Sequence, residues 1–160
     1  MSAKALLVTG ASRGIGRACA LLAGRNGWAV GVNYREDTKA AGAVVETIAK
    51  GGGRSVALKG DIAVEADVLR MFDAATQALG PLTAVIANAG IVAPTAKLAE
   101  MSVERMRRVF EVNVLGAYHR PRGHAANVEV FWRSGRIDRH DVIGGRAPRL
   151  AEPLCRLCRV

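Results

Sequence analysis

Five short stretches of this chain carry residue types that could do chemistry. In Thr9-Gly10-Ala11-Ser12-Arg13-Gly14-Ile15-Gly16 the first glycine permits a tight turn, the second lets backbone approach an anion, and the third lets a helix pack closely. N–H groups at the start of that helix would favour phosphate oxygens. A ligand-free strand-to-helix turn is the plain alternative. Asn33-Tyr34-Arg35 lies about 20 residues further on, where a carboxylate would hold a ribose 2′-hydroxyl. Arg35 there, together with Arg13 in the glycine loop, could instead clamp a 2′-phosphate through charge-assisted forks. Both could equally be solvated surface arginines, and Glu36-Asp37 weakens the local positive field. Asp61-Ile62 offers a carboxylate that could accept from an adenine amino group or simply cap the next helix. Asn88-Ala89-Gly90 suits a close backbone approach to a ribose, or an ordinary turn. Asn113 interrupts an apolar stripe, where its amide must find partners, either a water in a proton relay or two backbones to brace.

These residues need elements to position them. Ala5 to Val8 reads as a buried parallel strand, followed by a helix whose face is marked by Ile15, Cys19 and Leu22 and which Gly27 stops. Ala29 to Val32 is a second strand, and Thr38 to Lys50 an alanine-rich helix closed by Gly51-Gly52-Gly53. Ser55 to Leu58 is a third strand. Val68, Phe72, Ala75 and Leu79 recur at helical spacing before Gly80-Pro81, and Ala84 to Ala87 is a fourth strand. Val103, Met106, Phe110 and Val114 form one stripe of a last helix. Strands alternating with helices imply right-handed crossovers and a doubly wound parallel sheet, predicted to stop after about four strands. Ligands in such α/β sheets bind at the carboxyl ends of the strands, where all four strand-following loops lie.

Composition divides the chain near Tyr118. Residues 1–118 carry 14 Lys/Arg against 10 Asp/Glu, whereas 119–160 carry nine Arg, no Lys and four acids, so the much shorter tail holds +5 of the net +9. The sequence predicts a nucleotide-binding domain over 1–118 and an irregular, disordered tail over 119–160. No window reaches the roughly 18–20 apolar residues of a membrane span, and no secretory leader is evident. Three cysteines give no paired framework, which predicts a reducing cytoplasm. Cys155-x-x-Cys158 has a zinc-knuckle interval, but His119, His124 and His140 fit no finger spacing, so no metal site is expected. The tail arginines lack an organising pattern and predict only salt-sensitive sticking, with no specific nucleic acid as partner.

The glycine loop, Asp61-Ile62, Asn88-Ala89-Gly90 and Asn113-Val114-Leu115-Gly116, in that order, resemble the short-chain dehydrogenase/reductase family over about residues 3–118. The resemblance implies a Rossmann-like sheet and reversible hydride transfer between NADP(H), or NAD(H), and a small alcohol or carbonyl, in a family that usually forms homo-oligomers. It implies cofactor contacts at Gly10, Ser12, Arg13, Gly14, Ile15, Gly16, Asp61, Asn88, Ala89 and Gly90. Asn33, Arg35 and Ile62 join them from the loops above, and Asn113 falls where the family places the Asn of its catalytic tetrad.

The family's Ser and its Tyr-x-x-x-Lys helix, whose Lys lowers the Tyr pKa for proton transfer, have no counterpart. No Lys follows Lys97, and the tyrosines are Tyr34 and Tyr118. Tyr118 and Arg122 have the interval but come too early, with a helix-breaking Pro121 between them. The chain is therefore expected to be a catalytically impaired scaffold or a non-catalytic nucleotide binder, with a basic zinc or nucleic-acid module as the remote third reading. Advancing the reading frame by one nucleotide over Ile137 to Gly144 permits Ser-Ile-Val-Thr-Met-Ser-Ser. Over Leu150 to Arg159 it permits Ser-Pro-Asn, one free position, then Tyr-Val-Asp-Tyr-Ala. Both resemble the family's missing segments, which points to a frameshift near Tyr118.

Overall fold

A computed structural model describes residues 4–118, together with the strands at 129–132 and 135–136. Strand β1 (Ala5–Val8) is buried along its whole length because helices cover both faces of the sheet, which is why its residues are all apolar rather than alternating. Helix α1 (Gly14–Arg25) follows, then β2 (Ala29–Tyr34), α2 (Thr38–Lys50), β3 (Ser55–Lys59), α3 (Glu65–Leu79) and β4 (Leu82–Ala87). The element order is the one the hydrophobic periods predict.

β1 pairs in parallel with β2 on one side and β4 on the other, and β2 pairs in parallel with β3. The spatial order β3-β2-β1-β4 reverses direction between β1 and β4, which opens a crevice at the strand ends. One face of the sheet packs Leu6, Val8, Val30 and Val32 against Cys19, Ala20 and Ala23 of α1 and Val44 and Ile48 of α2. The other packs Leu7, Leu58 and Val85 against Val68, Phe72, Ala75 and Leu79 of α3, the four residues whose spacing marks that helix. Each such large side chain removed from water contributes about 1.5–3 kcal/mol, so the core holds the strand ends rigidly. Of the residues predicted to mark the core face of α1, Ile15 is 59% exposed. It sits in the first turn, beyond the edge of the sheet, and faces the crevice instead.

The sheet continues past the predicted fourth strand. β5 (Glu129–Trp132) pairs in parallel with β4, and β6 (Gly135–Arg136) pairs antiparallel with β5. Four residues suffice because β4 already presents a row of unpaired N–H and C=O groups that templates an extended neighbour. β4 is therefore an internal strand, and the sheet does not stop after the four strands that the sequence predicts.

Helix α4 (Val103–Phe110) runs into a π-helical turn, Glu111–Leu115, and a final α turn, Gly116–Tyr118. The wider turn breaks the period of the predicted stripe. Val103, Phe110 and Val114 are exposed, Phe110 at 64%, and α4 itself buries no residue. Its attachment to the sheet comes from Val112, from Gly116 packed on Ile62, and from polar contacts. No helix among the described residues is long and apolar enough to cross a membrane.

Candidate functional site

The four strand-following loops converge on one cleft of about 630 Å³ at the reversal point. From the first loop come Gly10, Ser12, Arg13, Gly14 and Ile15; from the second, Asn33, Tyr34 and Arg35; from the third, Asp61 and Ile62; from the fourth, Asn88, Ala89 and Gly90. Of the residues singled out from the sequence, only Gly16 and Asn113 do not line it.

The glycines divide their work as their spacing suggests. Gly10 has φ +62°, and a Cβ there would lie 2.9 Å from the Ala89 Cα. Gly14 has φ +57° and open space within 4 Å, so backbone is bare toward the cleft at the start of α1. Gly16 lies behind the loop, where a Cβ would fall 2.4 Å from Asn88 Nδ2 and 2.5 Å from the Gly10 oxygen. No side chain caps α1 and no acid occupies its first turn. The helix start keeps its partial positive charge and its N–H donors for a ligand. These features fit a phosphate: bare backbone, donors at a helix terminus and an arginine, Arg13, beside them.

Thr9 and Asn88 sew the ends of β1 and β4 together. Thr9 Oγ1 donates to the Ile86 carbonyl at 3.3 Å and accepts from the N–H groups of Asn88 and Ala89, both at 3.0 Å. Asn88 Nδ2 donates to the Thr9 oxygen at 2.9 Å and the Gly10 oxygen at 3.2 Å. The Asn88 side chain thus shapes the glycine loop from behind. Thr9 was not singled out from the sequence, although a hydroxyl at a strand end just before a glycine turn is a signal for this kind of brace.

Asn33 plays a similar part. It is 2% exposed, Oδ1 accepts from the Gly10 N–H at 3.0 Å, and Nδ2 donates to the oxygens of Leu58 at 3.2 Å and Gly60 at 3.1 Å. One amide ties the ends of β1, β2 and β3. Arg35, half exposed, donates from Nε to Glu36 Oε1 at 2.8 Å and pairs with it again through Nη2; its Nη1 lies 3.9 Å from Asp61 Oδ2. Glu36 thus competes for the guanidinium, as the local charge balance suggests.

Asp61 does not cap α3, whose first turn carries no side-chain cap, but shapes the turn before it. Oδ1 accepts from the Ala63 N–H at 2.9 Å, which tightens the turn into α3, while Oδ2 accepts from Arg108 Nη2. Its own N–H donates to Asp67 Oδ2 at 2.9 Å. That N–H first, then Arg70, holds the Asp67 carboxyl below the usual carboxylate range. Asn113 sits in the π turn and exchanges two hydrogen bonds of 2.8 Å with the Ile91 backbone, giving with Nδ2 and accepting with Oδ1. Its amide braces α4 against the loop after β4. Arg108, Ile91 and Val112 line the cleft without having been flagged by any sequence pattern. Among the described residues no cluster of His, Cys, Asp and Glu could hold a metal, and Cys155, Cys158 and the three histidines lie outside them.

A parallel α/β sheet with a glycine-rich turn and an uncapped helix start at its strand-order reversal defines a Rossmann-like fold. The chain belongs to the short chain dehydrogenase family, whose profile matches residues 4–137. It is 43% identical over 112 residues to the uncharacterized oxidoreductase YgfF of Escherichia coli, covering 70% of this chain and 45% of that protein. It is 36% identical over 133 residues to tetrahydroxynaphthalene reductase of Pyricularia oryzae, covering 83% of this chain and 47% of the relative. Among solved structures, angucycline C-6 ketoreductase LanV with bound NADP superposes with a TM-score of 0.73 at 31% identity, over 81% of this chain and 54% of that one. The chain spans about half the length of these relatives.

Proposed function

We propose that the cleft binds a nicotinamide dinucleotide, NADP(H) in preference to NAD(H), and that the chain is an oxidoreductase scaffold that binds its cofactor without turning over substrate. The observation that carries this is the uncapped start of α1 beside Gly14, with bare backbone facing the cleft. There the pyrophosphate would meet backbone N–H groups and Arg13. Arg35 would hold the 2′-phosphate once released from Glu36, and Asp61 the adenine amino group. Ala89 and Gly90 would let a ribose lie close to backbone. When bound, the cofactor supplies or accepts a hydride for an alcohol or carbonyl. Asn113 is the one family catalytic position that the sequence retains. Proton delivery has no evident source in the sequence, since four residues after Tyr34 comes Thr38 and four after Tyr118 comes Arg122, so neither tyrosine begins a Tyr-x-x-x-Lys pattern. Residues 4–118 would form the binding scaffold, and a frameshift would explain why the remaining catalytic residues do not follow.

Fluorescence titration with NADPH and NADH tests the reading. NADPH should bind more tightly, with a preference that weakens in added salt and is lost in Arg35→Gln. Small carbonyls should give no oxidation of NADPH above background. A folded protein that bound neither nucleotide would overturn the proposal, and measurable turnover would overturn its catalytic half.

A further inference from the structure

Arg108 donates to the Asp61 carboxylate from a helix that contributes no apolar contact of its own to the core. Its side chain is one-third exposed and lines the cleft, so the guanidinium is partly desolvated beside a carboxylate that is 19% exposed. Asp61 consequently receives one protein donor on each oxygen, the Ala63 N–H on Oδ1 and Arg108 on Oδ2. An ionised carboxylate has about four lone-pair positions. One donor per oxygen fixes its plane and leaves the remaining positions with a fixed direction.

We infer that Arg108 is a positioning residue for base recognition: by holding the Asp61 carboxylate it sets the cleft's preference for an exocyclic amino group over a carbonyl oxygen at the purine 6-position. This rests on the dinucleotide reading above. A carboxylate accepts from an amino group and repels a carbonyl oxygen, so the aimed Asp61 discriminates adenine from hypoxanthine. Without Arg108, the nearest cation to Oδ2 is Arg35 Nη1 at 3.9 Å, and the carboxylate is free to turn toward it. The same helix is pinned a second time where Asn113 meets the Ile91 backbone. Arg108 and the π turn that carries Asn113 thus belong to one continuous helical segment.

The test is the ratio of dissociation constants for NADPH and its hypoxanthine counterpart, measured by nucleotide fluorescence on the full chain. A general loss of charge or of helix docking weakens both nucleotides alike and cancels in this ratio. The wild-type protein should favour the adenine form about tenfold, as expected of a hydrogen bond to a charged group. Arg108→Met should bring the ratio to about twofold or less. Arg108→Lys, which keeps the charge but not the planar fork, should give an intermediate value near threefold. Should the methionine variant not fold, the lysine variant carries the test. A wild-type ratio in either soluble variant, or equal wild-type affinity for the two bases, overturns the inference. Failure of the wild type to bind either nucleotide would instead remove the dinucleotide reading beneath it.

Discussion

Replacing Gly16 with alanine places one carbon where three groups already meet. The new Cβ would stand 2.4 Å from Asn88 Nδ2, 2.5 Å from the Gly10 oxygen and 3.1 Å from the Ala11 Cα. Two of these are backbone atoms in a loop that the sheet holds, so the flexible partner, the Asn88 amide, must move first. Doing so breaks its bonds to the Thr9 and Gly10 oxygens, at about 1 kcal/mol each. Residual overpacking adds about 1–3 kcal/mol, and the better helix propensity of alanine returns at most about 1 kcal/mol. The expected net loss is about 2–5 kcal/mol, or roughly 4–20 °C in Tm for a chain of this size. Gly14→Ala makes the counterpart. Its Cβ meets nothing within 4 Å but must adopt φ +57°, a strain of roughly 1–2 kcal/mol, and it projects where phosphate would approach. Gly14→Ala should therefore cost about 2–8 °C in Tm and tenfold or more in NADPH affinity. Thermal melts and nucleotide titration in one buffer separate the two. A Gly16→Ala protein melting within about 2 °C of the parent would refute the packing argument.

Other substitutions test the brace and the charges. Thr9→Val removes the oxygen that accepts from Asn88 and Ala89, and while the Asn88 N–H keeps the Ile86 carbonyl, the Ala89 N–H loses its acceptor; the urea midpoint should fall by the equivalent of roughly 1–3 kcal/mol with the slope unchanged, while Thr9→Ser stays near the parent. Gly42 lies on the exposed face of α2 with open space around its Cβ position, so Gly42→Ala should raise Tm by about 2–4 °C in a calorimetric scan. Asp67 titrates below its unfolded value because the Asp61 N–H and Arg70 favour its charged form. Its stabilisation is therefore present above about pH 3.9 and fades as acid carries it through the lowered value; melting curves across pH 2–5 should lose part of this acid dependence in Asp67→Asn.

The sequence made the first four strands and three helices legible because their signals are local. Ala5–Val8 is an unbroken apolar run ended by Thr-Gly, and Val68, Phe72, Ala75 and Leu79 lie on one face whatever the rest of the chain does. The glycine loop was legible for the same reason: only the absence of a Cβ satisfies the turn at Gly10 and the contact at Gly16. Long-range pairing left no such trace. Arg108 and Asp61 are 47 residues apart, and no period links them. Asn33 sits where a specificity residue belongs, yet its buried amide is taken up by three backbone groups on neighbouring strands, which only the parallel register brings within reach. The run Val128-Glu-Val-Phe131 is too short to stand as a strand on sequence alone, because β5 draws its stability from the neighbour it joins rather than from its own length.

The same division between local and long-range contacts explains how the two halves of the site can part company. The anion cradle is built almost wholly from β1, β2, β4 and α1, which share one buried core and brace one another through Thr9, Asn33 and Asn88. It needs nothing from α4. The helix that bears Asn113 buries no residue in its first two turns and is held by Arg108 on Asp61, Arg105 on the Pro94 carbonyl and Asn113 on Ile91, with Val103 and Phe110 still exposed. Polar contacts at a partly solvated surface are individually weak, typically about 1 kcal/mol each. Loosening α4 would therefore cost base selectivity and the placement of Asn113 long before it cost phosphate binding. The energy that shapes the strand-end loops is stored in the sheet, so their geometry would outlast the loss of the polar contacts that hold α4.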